Sequence, residues 1–190
     1  MSSSQIRLLG ISGSLRRESF STAILKTLAE SAVVQAQIEI GNIRALPHYN
    51  QDLDTENAPA SVVELRKALA ESDGLVLLSP EYNHGVPGVL KNAIDWLSRP
   101  AYKSALIGKP TLIISSSPAF TGGVRAQPQL RETLISAMAR PVIGNEVVIA
   151  AAHTKITNGR LTDKASIDFA LRALGQLVDD IRAGTAAKAA

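Results

Sequence analysis

The run Gly74-Leu75-Val76-Leu77-Leu78 constrains the fold more than any other stretch of this chain. It lacks the polar–apolar alternation of a strand that shows one face to water. A strand of this kind is buried on both faces, as the inner strands of a parallel sheet are. Thr111-Leu112-Ile113-Ile114 repeats the pattern after the turn Gly108-Lys109-Pro110. Between such runs lie segments with apolar residues at helical spacing. One contains Val62-Val63, Leu65-Arg66 and Ala68-Leu69-Ala70, a second runs from Val86 to Leu97, and a third lies around Leu130 to Met138. A long last helix runs from Asp163 to Arg182, with Ile167, Leu171, Leu174, Val178 and Ile181 on one stripe.

The remaining segments complete an alternation. Ile6 to Ile11, interrupted by Arg7, reads as a first strand, and Ala23-Ile24-Leu25 with Leu28-Ala29 as the helix after it. Gln37 to Ile43 alternates and reads as a second, more exposed strand, followed by a polar loop from Leu46 to Asn57. Val142 to Ala150 gives a fifth strand. Strands alternating with helices imply an α/β fold, a doubly wound five-stranded parallel sheet. The flavodoxin-like order 2-1-3-4-5 fits best. No repeat or linker divides the chain, so residues 1–190 read as one domain whose tail, 183–190, frays. In that order the topological switch lies between strands one and three, and ligands bind outside the carboxyl ends of the strands there. The loops after Ile11 and after Leu78 should therefore touch the ligand, and the loop after strand four should close the far side.

The first of these loops is Gly10-Ile11-Ser12-Gly13-Ser14-Leu15-Arg16, with Ser19, Ser21 and Thr22 just behind it. A strand, a tight turn rich in hydroxyls and then a helix N-terminus make a place to hold phosphate. The free N–H groups and the positive end of the helix dipole point at the ligand. Arg16 adds a planar cation suited to phosphate oxygens. The loop lacks the Lys of a Walker loop and the third glycine of the dinucleotide fingerprint. Serines in place of glycines suit a terminal monophosphate, such as that of riboflavin monophosphate. Ser12 and Ser14 as simple helix caps are the bland account, and the further groups at Arg16, Ser19, Ser21 and Thr22 argue against it.

The second loop, Ser79-Pro80-Glu81-Tyr82-Asn83-His84-Gly85-Val86-Pro87-Gly88, crowds polar side chains at the end of a buried strand. A flat ring system needs amides along its heteroatom edge and a flat wall. Asn83 and neighbouring amides suit the first need, and Pro80 and Tyr82 the second. The third loop runs from Ser115-Ser116-Ser117-Pro118 to Gly122-Gly123-Val124-Arg125. Its serines can donate to a ring or a ribityl chain, and its glycines permit positive φ. Arg125 is suited either to a cofactor phosphate or to a solvated or intersubunit charge.

Composition removes other classes. There is no Cys, which excludes disulfides, thiol redox chemistry and Cys-ligated metal. His48, His84 and His153 show no metal-ligand spacing. The net charge of +3 is spread without blocks, which argues against a nucleic-acid surface. No apolar run reaches membrane-spanning length. Met1-Ser2-Ser3-Ser4 carries no secretion-signal pattern, so the expected compartment is the cytoplasm.

Four motifs together resemble the NADPH-dependent FMN reductase family, and within it the bacterial quinone and chromate reductases. They are Gly13-Ser14-Leu15-Arg16-Arg17-Glu18-Ser19-Phe20-Ser21, Pro80-Glu81-Tyr82-Asn83, the run from Pro87-Gly88-Val89-Leu90-Lys91-Asn92 to Trp96-Leu97-Ser98-Arg99, and Gly122-Gly123-Val124-Arg125. The resemblance spans roughly residues 5 to 182. It implies bound FMN, NADPH or NADH as co-substrate, a small-molecule electron acceptor and a homodimer or homotetramer with the flavin near a subunit interface. Carried over by position, Ser14, Arg16, Ser19 and Ser21 hold the phosphate with the backbone of Phe20. Pro80, Glu81, Tyr82 and Asn83 line the isoalloxazine, and Ser116 and Ser117 reach it from the third loop. Ser21 departs from the family, where Asn is frequent. The resemblance implies electron transfer from a nicotinamide through FMN to a quinone, flavin, azo compound or oxidised metal ion. A flavodoxin-type electron carrier without nicotinamide chemistry, and a module for another phosphorylated ligand, are the rival readings.

Trp96 bears on assembly. Val86, Val89, Leu90, Ala93, Ile94 and Leu97 form one stripe, and Trp96 lies roughly 100° from its centre at 3.6 residues per turn. A Trp off the core face suits a subunit interface, or else lies flat on its own domain.

Overall fold

The computed structural model describes residues 5–31 and 36–189. The targeting reading of residues 1–4 falls outside that range. Strand β1 (Ile6–Ser12) leads through helix α1 (Phe20–Glu30) to β2 (Ala36–Ile40), and α2 (Ala60–Ala70) carries the chain to β3 (Gly74–Ser79). Helix α3 (Gly88–Leu97) leads to β4 (Pro110–Ser116), and α4 (Ala126–Ser136) to β5 (Arg140–Pro141) and β6 (Val147–Ile149). A short helix α5 (Ala152–Lys155), a ribbon of β7 (Ile156–Thr157) and β8 (Arg160–Leu161), and the long α6 (Lys164–Ala189) follow.

The sheet order is β2-β1-β3-β4-β5, with every pairing parallel, as the flavodoxin-like order requires. The apolar runs expected to be inner strands are inner strands: each residue of β3 and β4 is buried. Side-chain alternation along these strands builds two cores. Leu8, Val76, Leu78, Leu112 and Ile114 pack beneath α1 and α6, whereas Leu9, Ile11, Leu75, Leu77 and Ile113 pack beneath α2, α3 and α4. Gly10 lets α1 lie close on β1, because a Cβ there would stand 2.7 Å from Leu25 Cδ1 and 2.9 Å from Ile38 Cγ2.

The sequence reading needs correction in four places. The fifth strand is not continuous over 142–150. It is two short pieces that both pair with β4, joined by residues 142–146. The ladder bonds run past Pro141, since the Arg140 and Val142 N–H groups reach the Lys109 and Thr111 carbonyls at 3.0 and 2.9 Å, and the chain then leaves the sheet at Ile143, which is 97% exposed. The hairpin β7–β8 was not expected, although its turn, Asn158-Gly159 with φ of 50° and 70°, carries the usual sequence signal. The last helix continues to Ala189 rather than ending at Arg182, through residues dominated by Ala, the strongest helix former.

Trp96 is the fourth correction. It is fully buried within its own chain, 0% exposed. The loop after β2 covers it: its indole N–H donates to the Pro47 carbonyl at 2.9 Å, and Tyr49 packs edge-on with ring centres 4.9 Å apart. Arg66 lies over the ring at 5.5 Å. The residue off the helix's main stripe is core after all, so it offers nothing to an interface.

Candidate functional site

Ser19 begins the site by starting α1. Its hydroxyl accepts the Thr22 N–H at 3.1 Å, and its carbonyl takes the Ala23 N–H at 2.9 Å. The amides of Phe20 and Ser21, in the first helical turn, lie beyond the reach of any intrahelical carbonyl. Gly13 donates its N–H to the Leu78 carbonyl at 2.7 Å, which ties the start of the loop to β3. Ser12 and Thr22 hydroxyls meet at 2.8 Å and close the loop's base. Arg16 is folded over its own loop: its guanidinium donates to the Glu18 carbonyl at 2.7 Å and sits 5.0 Å from the Phe20 ring centre. Arg44, which carried no signal in the sequence, donates to the Leu15 carbonyl and braces the loop from outside.

Across the sheet, Ser21 and Ser116 join their hydroxyls at 3.1 Å, both buried, so the phosphate-type loop and the end of β4 share a wall. Ser117 donates its N–H to the Ile149 carbonyl at 3.2 Å, and its hydroxyl accepts the Ala119 N–H at 3.1 Å. Gly122 and Gly123 have φ of +59° and +80°, the conformations their type was expected to serve. At Gly122 a Cβ would stand 2.3 Å from Val148 Cγ1.

The second loop contains a tight hairpin turn. Tyr82 and Gly85 exchange N–H and carbonyl bonds at 3.1 and 3.0 Å, around Asn83 and His84 at φ of 50° and 62°. Positive φ at both central positions is a type I′ turn. Glu81 does not present a free carboxylate. It accepts the Arg125 N–H at 3.0 Å and the Arg125 guanidinium at 3.2 Å. Arg125 therefore ties the third loop to the second, a role the sequence reading did not assign to it.

These loops enclose a cavity of about 270 Å³ lined by Ser14, Arg16, Ser19, Phe20, Ser21, Pro80, Glu81, Tyr82, Ser116, Ser117 and Pro118. Ten of the eleven residues expected at the site line it. Asn83 does not; it is exposed at the tip of the turn. Pro118, named only as part of the third loop, lines it as well. Two larger hollows lie elsewhere, of about 550 and 430 Å³. In the first Arg140 is already bound to Asp180 at 2.7 Å, and in the second Lys91 is bound to Asp95 at 2.6 Å. Neither presents a helix N-terminus with open donors, so size does not select the site. No group of His, Asp and Glu among the described residues is suited to a metal ion.

A hydroxyl-rich helix N-terminus facing a flat-walled cleft, at the switch point of a 2-1-3-4-5 sheet, defines a flavodoxin-like protein for a phosphorylated planar cofactor. The chain belongs to the NADPH-dependent FMN reductase family, whose model matches residues 6–154. It is 39% identical over 162 residues to an NAD(P)H-dependent FMN reductase of Pseudomonas aeruginosa, covering 85% of this chain and 87% of that one. It is 34% identical to a quinone reductase of Escherichia coli, covering 95% and 99%. Among solved structures it resembles the flavoenzyme NAD(P)H:(acceptor) oxidoreductase FerB of Paracoccus denitrificans, with a TM-score of 0.81 and 32% identity, over 93% of this chain and 97% of that one.

Proposed function

We propose that this chain is an FMN-dependent oxidoreductase that takes electrons from NADPH or NADH and delivers them to a small-molecule acceptor. Candidate acceptors are a quinone, free flavin, an azo compound or an oxidised metal ion such as chromate. The observation that carries the reading is the single cavity formed by three loops, with open donors at one end and flat apolar walls at the other.

The residues fit FMN at both ends. Ser14, Arg16, Ser19, Ser21 and the Phe20 amide hold the phosphate. The hydroxyls of Ser19 and Ser21, engaged with Thr22 and Ser116, each keep hydrogen-bonding capacity for it. Pro80 and Tyr82 form the wall for the ring, with Glu81 behind them. Ser116 and Ser117 meet the ring or ribityl side from β4. Asn83 stands on the open side, where nicotinamide and acceptor alternate. When bound, FMN supplies the hydride-accepting and electron-donating chemistry. The chain's task is to bind, orient and exclude water on one side while leaving the other open. No acid or base is assigned, and Glu81, the carboxylate among the lining residues, is engaged in an ion pair with Arg125.

No helix among the described residues is long and apolar enough to cross a membrane. We place the enzyme in the cytoplasm, as one flavodoxin-like domain that assembles into a homodimer or homotetramer. Phe120, 91% exposed on the third loop, and the half-exposed Tyr82 at the cavity mouth give a partner subunit surface to cover. The test is steady-state NADPH or NADH oxidation with a soluble benzoquinone, with and without added FMN. The reading expects turnover that requires FMN. Flavin-stripped protein that turns over equally well without FMN contradicts it.

A further inference from the structure

The type I′ turn at Tyr82–Gly85 does not hold itself. A two-residue hairpin with one pair of bonds is marginal in water. Two successive non-glycine residues at positive φ add a conformational cost. The turn is held from helix α4. Arg125, at the start of that helix, binds the Glu81 carboxylate through both its backbone N–H and its guanidinium, at 3.0 and 3.2 Å. Gln129 lies four residues on and thus on the same helical face. Its Oε1 accepts the Val86 N–H at 3.1 Å, and its Nε2 donates to the His84 carbonyl at 3.2 Å. Gly85 leaves room for that amide, since a Cβ would stand 2.7 Å from Gln129 Oε1. The Glu81 side chain is only 9% exposed, so its partner matters. One turn of one helix thus grips the loop before and after its strained tip.

We propose that Arg125 and Gln129, with Glu81 as the carboxylate that Arg125 binds, are positioning residues that set the ring-side wall of the flavin site. This rests on the flavin reading above. The third loop leads through Gly122 and Gly123 directly into Arg125, so the second and third loops have a common anchor. The phosphate end is built on α1 and β1, and its ties to the neighbouring strands, Gly13 to Leu78 and Ser21 to Ser116, do not involve α4. Loosening the anchor should therefore disturb the ring and spare the phosphate.

The experiment titrates flavin-free wild type, Gln129→Ala, Gln129→Glu and Glu81→Gln with FMN, after circular dichroism has established folding. It follows the visible spectrum of the bound flavin and hydrogen exchange at the Val86 amide. Gln129→Ala is expected to lose about tenfold in FMN affinity, the worth of one to two lost hydrogen bonds. The bound spectrum should move toward that of free FMN, and Val86 exchange should quicken. Gln129→Glu keeps the acceptor for Val86 and loses the donor to His84, so it should recover part of the loss. Glu81→Gln, which keeps its size, should shift the spectrum in the same direction. Folded Gln129→Ala with wild-type affinity, spectrum and exchange overturns the proposal. If wild type binds no FMN, the flavin reading fails, and the anchor is judged by Val86 exchange alone: unchanged exchange in Gln129→Ala overturns it.

Discussion

The loop after β1 and the loop after β2 are both polar, both irregular and both at the carboxyl end of the sheet, yet they do opposite things. The loop after β2 turns its polar groups inward. Tyr49 donates its N–H to Asn92 Oδ1 at 2.7 Å, and Asn92 Nδ2 and Trp96 Nε1 both reach the Pro47 carbonyl at 2.9 Å. Arg66 closes the assembly on Asp54 at 2.8 Å and on the Trp96 carbonyl at 3.0 Å. The loop after β1 ties down only its base and its outer edge, and leaves hydroxyls and first-turn amides facing a cavity. A polar loop becomes a candidate site where its donors remain unspent, and a lid where they are satisfied by the chain itself.

The widest break in this comparison is Trp96→Ala. It removes the centre of the inward-turned loop and should cost about 3–5 kcal/mol of stability, the range for a large buried aromatic. Denaturant unfolding followed by circular dichroism measures it, since Trp96 is the chain's single Trp. A loss below about 1 kcal/mol would remove the loop's role as core. Ser14→Ala tests the other loop. FMN binding should weaken by about 1.5–3 kcal/mol, the worth of a hydrogen bond to a charged group, with thermal stability little changed. Equal affinity in a titration of flavin-free protein would take Ser14 out of the site. Asn92→Ala should cost about 1–2 kcal/mol of stability, because the Tyr49 N–H loses its partner, and should leave FMN affinity alone. A matching loss of FMN affinity would show that the two loops are not separate.

The smallest effect concerns the start of α6, which belongs to neither loop. The Ser166 hydroxyl and then its backbone N–H hold the Asp163 carboxyl below its ordinary value. A depressed carboxylate stabilises the fold above its unfolded value, and that stabilisation is lost as pH falls through the folded value. Wild type should thus be slightly more stable than Asp163→Ala near neutrality, with the gap closing in acid. Melting temperatures from about pH 7 to about pH 3 measure it, and a gap that stays constant counts against the assignment.

The parallel sheet was legible because β3 and β4 carry their signal locally, in unbroken apolar runs. The cavity residues were legible because topology places the loops after β1, β3 and β4 together, and their hydroxyls could then be read as a set. Trp96 misled the sequence reading because helical periodicity sees only its own helix. The cover over Trp96 comes from Pro47 and Tyr49, almost fifty residues earlier in the chain. The grip of Arg125 and Gln129 on the second loop was invisible for the same reason: it spans more than forty residues and leaves no local pattern. The hairpin after α5 had a signal in Asn158-Gly159.

The most direct test is the visible absorbance of the purified, FMN-loaded protein before and after anaerobic NADPH. The account predicts a yellow protein that NADPH bleaches. A yellow protein unchanged by NADPH and by NADH would make it an electron carrier, and a protein that holds no flavin would contradict the reading of the loop after β1.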